Sequence, residues 1–150
     1  MGVNLTHPGV PIGSAEPVSI LGLMGLNPIQ DRSLKRTLWP ILDNVDREIC
    51  SLGLGVVTLN LSDEQVKYGE IEIELVDGSV NTIKNLFDAI LYNYSEFLQP
   101  WRYSKLQTGI AIESLSRSSD GAGIVNENGE LTLAGISQIE RYLKKNASAK

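Results

Sequence analysis

The chain is poor in the residues that most often carry chemistry. Of its 150 residues one is cysteine, Cys50, and one is histidine, His7. A single cysteine excludes an intrachain disulfide. A reducing compartment and a small buried thiol are the simplest reading. With the one histidine in an irregular leader, neither a Cys/His metal site nor a Ser–His or Cys–His catalytic pair is expected in the folded body. The phosphate-loop pattern G-x-x-x-x-G-K-[ST] and the dinucleotide pattern G-x-G-x-x-G do not occur. No catalytic, cofactor-binding or metal-ligating residue is therefore assigned. No cofactor or small-molecule substrate is expected, and the chain reads as non-enzymatic.

Long apolar runs are missing too. The longest, near Val18–Ile29, is broken by Gly22, Gly25 and Pro28, and it falls short of the roughly 18 residues a membrane span needs. No base precedes Arg32. The apolar stretch therefore lacks the positive flank of a signal peptide. The expected location is cytoplasmic or inside an assembled virion, without secretion by a signal peptide, and no membrane partner is expected. The formal net charge of −5 disfavours nucleic acid, which usually meets a basic face.

What is present begins with an unusual leader. Residues 1–28 hold four of the six prolines, five of the fourteen glycines and one formal charge, Glu16. Prolines and glycines prevent a regular helix, yet Val10, Ile12, Val18, Ile20, Leu21, Leu23, Met24 and Leu26 are too apolar for an ordinary solvated tail. The segment reads as an extended arm that binds a protein surface through those eight side chains. Residues 29–150 read as one globular α+β domain.

Within that domain, Leu34, Leu38, Ile41, Val45, Ile49 and Leu52 recur at spacings of three and four. This spacing predicts an amphipathic helix, capped by Asn27, started at Pro28, kinked at Pro40 and stopped at Gly53. "VVTLNL" (Val56–Leu61) and "EIEIELV" (Glu70–Val76) predict strands of a small antiparallel sheet. Ile71, Ile73 and Leu75 are expected inward, and Glu70, Glu72 and Glu74 on the wet face. A helix is predicted over 81–98, with Asn81 as its cap and Pro100 beyond its end. Residues 103–116 fit a helix better than a strand. Asn128-Gly129 marks a hairpin, and Thr132 caps a closing helix that ends near Lys144 and Lys145. The expected fold is thus a small antiparallel sheet packed with three to four amphipathic helices. Its core is drawn from Leu38, Ile41, Leu42, Val45, Ile49, Ile73, Leu75, Leu86, Phe87, Ile90, Leu91, Phe97, Ile136 and Leu143.

Two local patterns bear on function. Residues 61–80 carry six acids against Lys67 alone, so Glu70, Glu72 and Glu74 form a solvated face, a docking strip for a basic partner or, with Asp77, part of a divalent-ion site, the last disfavoured because no D-x-[DN]-x-[DN]-G loop occurs. In "QPWRYSKL" (residues 99–106), aromatic and basic residues interleave, as in single-strand nucleic-acid sites and in helix junctions alike.

The C-terminal third, a helix, a hairpin and a closing helix that opens with Leu131, Thr132 and Gly135, resembles the end of a winged-helix domain. That resemblance implies a DNA-binding regulator as the alternative function. Its recognition helix offers Lys105 and Arg117 for phosphate contacts, with Glu113 between them.

Taken together, the residues predict a structural or assembly subunit. It is expected to bind neighbouring protein subunits as a homo-oligomer within a larger complex. A virus particle is the expected setting: a neck, tail, baseplate or capsid-associated component.

Overall fold

The computed structural model describes residues 21–118 and 121–147. Along the chain run β1 (Arg32–Leu42), β2 (Glu48–Asn60), β3 (Gln65–Leu75), α1 (Val80–Tyr94), α2 (Lys105–Ser116) and α3 (Leu133–Ala147). The strands form one antiparallel sheet in the order β1-β2-β3. The α+β fold expected from the sequence is the fold of the chain.

The largest correction concerns residues 27–53. The predicted kinked helix is instead part of a long hairpin, β1 and the first half of β2. Asp43 makes its turn: Oδ1 accepts from the amides of Val45 and Arg47, and Oδ2 from the Arg47 guanidinium. Asp46 takes a left-handed φ of 59°, which acidic and amide side chains tolerate better than most. Local Asx-type bonding of this kind competes with a helix.

Two bonds at the open end of the sheet set the backbone phase. Asn60 N–H donates to Asp31 O (3.0 Å), and Leu61 N–H donates to Glu64 O (2.9 Å). Antiparallel alternation then turns the amides of Ser33, Lys35, Thr37 and Trp39 toward β2, and those of Arg32, Leu34, Arg36 and Leu38 outward. Pro40 falls on the outward set. Its missing N–H therefore costs the ladder nothing, which is how proline is tolerated on an edge strand. A register shift follows between Ile41 and Leu42.

The core lies at one end of the sheet. Leu59 of β2 and Val66 of β3 pack with Ala111, Ile112 and Leu115 of α2, with Ile139 and Leu143 of α3, and with Ile124. Of the core expected from sequence, Leu143 is buried; Leu38, Leu42, Val45, Leu75, Phe87 and Phe97 are exposed, and the rest are half-buried.

Helix α2 is fixed by a capping box. Ser104 Oγ accepts from the Gln107 amide and Gln107 Oε1 accepts from the Ser104 amide. Helix α3 is capped by Thr132, whose Oγ1 accepts from Gly135 N–H (2.9 Å), as its sequence predicts. The preceding hairpin turns at Gly129 (φ 75°) and pairs Val125 with Leu131. It also closes part of the β3 edge: Lys67 N–H donates to Gly129 O and Leu131 N–H to Lys67 O. The predicted cap of α1 at Asn81 is displaced to Ser79, whose side chain accepts from Thr82 N–H, and the helix stops at Tyr94 rather than residue 98.

Candidate interaction surface

The two faces of the sheet differ sharply, and the difference begins with glycine. Gly53 and Gly55 sit side by side in the β2 row that faces Leu38 and Arg36 of β1 and Glu72 and Glu70 of β3. They leave a trough in the middle of the sheet. A Cβ at Gly55 would stand 3.0 Å from Leu34 Cδ1 and 3.4 Å from Arg36 Cβ; one at Gly53 would stand 3.1 Å from Leu38 Cδ2. Side chains from β1 bend across this trough to β3. Arg36 Nη1 reaches Glu72 Oε2 (3.2 Å) and lies 3.8 Å from Glu74 Oε1. From α2, Lys105 Nζ lies 3.0 Å from Glu70 Oε1 and also bonds Glu72 Oε1.

Two cations of the chain thus pair with the three carboxylates of the acidic row. The side chains of Glu70 and Glu72 keep 17% and 30% of their exposure, while Glu74 keeps 60%. The Lys105 hydrogen bond, then the charges of Lys105 and Arg36, hold the Glu72 carboxyl below the usual carboxylate range. Burial alone would lower the Lys105 ammonium, but its bonds to Glu72 and Glu70 outweigh burial and raise it. Beneath them Tyr68 is pushed up to about 12, first by burial and then by the charge of Glu70. The expected orientation is inverted: the glutamate row shares its face with Val66, Tyr68 and the core, so it is the better-covered face.

The opposite face carries Trp39 and Ile41 of β1, Leu52, Leu54 and Val56 of β2, and Ile71, Ile73 and Leu75 of β3, as the registers require. Trp39, Leu54, Val56, Ile71 and Leu75 on this face are exposed. Outside the sheet, helix α1 also exposes Phe87 and Tyr94, and none of its residues is buried. Among the described residues, ten apolar side chains are buried and twenty-two large ones are exposed.

Of the arm residues expected to bind a partner, Val10, Ile12, Val18 and Ile20 lie outside the described residues. Leu23, Met24 and Leu26 are exposed and Leu21 is half-buried. Residues 21–23 are helical, with Leu26 N–H returning to Leu21 O (2.9 Å). Sequence reasoning missed the apolar sheet face because it assigned β1 and half of β2 to a helix. The strict alternation of Ile71, Ile73 and Leu75 marked only its third row.

Other sequence features have settled places. Trp101 and Tyr103 meet edge to face at 5.4 Å and pack against the core. Trp101 Nε1 donates to Thr108 Oγ1 (2.9 Å), so the aromatic–basic stretch is a junction between the loop and α2. On α2 itself Lys105 is held by the glutamates and Arg117 pairs with Glu113 (2.7 Å). Cys50 is fully buried. Among the described residues, no group of three or more His, Cys, Asp or Glu side chains is placed to hold a metal ion, and no helix is long and apolar enough to cross a membrane. Comparison with protein families, curated proteins and solved structures finds no match.

Proposed function

We propose that this chain is a non-enzymatic assembly subunit that associates with further copies of itself through the apolar face of its sheet, within a larger protein complex such as a virus particle. The observation that carries this reading is the distribution of apolar surface. Trp39, Leu54, Val56, Ile71 and Leu75 form a contiguous exposed patch on a rigid three-stranded sheet. Contiguous apolar patches of this kind are uncommon on monomers and mark protein interfaces. Charge is compatible with the same reading. The glutamate row is internally paired, so little of the gain from bringing two apolar faces together is offset by repulsion from those acids.

The test is a concentration series of the full chain by analytical ultracentrifugation, beside a Leu54→Lys/Val56→Lys double variant. Both side chains are already exposed, so circular dichroism should be unchanged. The wild type is expected to self-associate and the double variant to remain monomeric. Equal association of the two would remove the sheet face from the account.

A further inference from the structure

The β1 strand has a second unsatisfied feature besides its apolar side chains. Its outward backbone groups, at Arg32, Leu34, Arg36 and Leu38, have no hydrogen-bond partner among the described residues. The strand is 11 residues long, and Leu34 and Leu38 beside these groups are exposed. A long edge of this kind is a template for another strand unless it is guarded. Pro40 guards its far end and Lys35 is a charged guard near its middle, while Arg36 is turned inward to Glu72; the β3 edge is partly closed by residues 129–131.

The occupant is indicated by parity. Residues 9–20, one residue longer than β1, contain Pro11 and Pro17, both odd-numbered; Pro8, of the other parity, falls just before them. In an extended strand, residues of one parity share both a face and an edge direction. Drawn as a strand, residues 9–20 keep every N–H of the even set, and the prolines spoil only the odd edge. The even set is also the apolar one: Val10, Ile12, Val18 and Ile20, with Glu16 as its single charge. Paired on β1, the even set would share a face with Leu34 and Leu38, and Glu16 would share it with Arg32 and Arg36. Hydrophobicity, charge and backbone donors agree on one side of the segment. A two-sided strand would not tolerate those prolines.

The path of the chain into β1 favours a second copy as the donor. Before β1, Gln30 is held against α2, its Nε2 donating to Leu106 O (3.4 Å). Pro28–Asp31 line a hollow with Leu59–Ser62 and Gly109. The chain thus enters β1 across the end of the sheet from the α2 flank, opposite the open edge. We infer that residues 9–20 of one copy add as a fourth strand to the β1 edge of a neighbouring copy, so that each copy donates one strand and accepts one. This inference rests on the assembly reading and names its partner.

Adjacent proline substitutions test it in the full chain. Ser14→Pro removes an N–H from the edge that faces β1; Ala15→Pro removes one from the edge already interrupted by proline. Association is measured by sedimentation, and amide exchange at Leu34, Arg36 and Leu38 by NMR. The expected result is wild-type association for Ala15→Pro, association about tenfold weaker for Ser14→Pro, and protection of the three amides that is lost in Ser14→Pro alone. If the wild type associates while both variants behave alike, or while those amides exchange freely, strand addition is overturned and association through the sheet face still stands. A wild type that never associates overturns both.

Discussion

Gly53 and Gly55 decide how far the side chains of β1 and β3 can reach. Replacing Gly55 by valine fills the trough that Arg36 crosses, with Leu34 Cδ1 already 3.0 Å from a single added carbon. The expected cost is about 1–3 kcal/mol, the usual range for overpacking, read as a lower urea midpoint. Lys105 is the second such residue. Lys105→Met leaves the half-buried Glu70 and Glu72 carboxylates without their cation, and a loss of about 1–3 kcal/mol is expected. The pH dependence has a fixed sign. The folded Glu72 carboxyl lies below its ordinary value, so its contribution is present above about pH 4.3 and is lost as pH falls through the folded value. That acid-side slope should flatten in Lys105→Met. Tyr68 works at the other end. Its phenol is raised to about 12, so its contribution is full below about pH 10 and is lost as pH rises through the folded value. Ultraviolet titration should show one phenol ionising together with unfolding.

At the scale of elements, α3 docks through Gly135, where an added Cβ would stand 2.2 Å from Ile124 O. Backbone cannot yield as a flexible side chain does, so Gly135→Ala should cost about 3 kcal/mol in thermal or chemical denaturation, more than the roughly 1 kcal/mol expected for loss of the α2 cap in Ser104→Ala.

The elements also show what the sequence could and could not convey. The Asn128-Gly129 turn, the Thr132 cap and the Glu70–Leu75 alternation were legible because each is a local signal; α2 was less so, because "GIAIES" within it alternates like a strand. The β1–β2 hairpin was not. Leu34 and Leu38 lie on one face of β1, and Trp39 and Ile41 on the other. An edge strand apolar on both faces breaks the period of two and imitates the spacing of a helix. Pro40 and the paired turn acids Asp43 and Asp46 were the contrary signs. The site was hidden for the same reason. Its glutamate row was visible, but Arg36 and Lys105 reach it from other elements, and no linear pattern records that.

For the whole molecule, the core occupies one end of the sheet, Cys50 is buried near the other, and Trp39, Leu54, Val56, Ile71 and Leu75, with an open backbone edge on β1, face outward. The acidic total does not oppose association, because its densest part is paired with Arg36 and Lys105. Sedimentation equilibrium of the full chain over a concentration series tests this account most directly. A mass that rises with concentration above the 16.4 kDa of one chain, and that stays at one chain in Leu54→Lys/Val56→Lys, is the result predicted. A wild type that holds at 16.4 kDa throughout would contradict it.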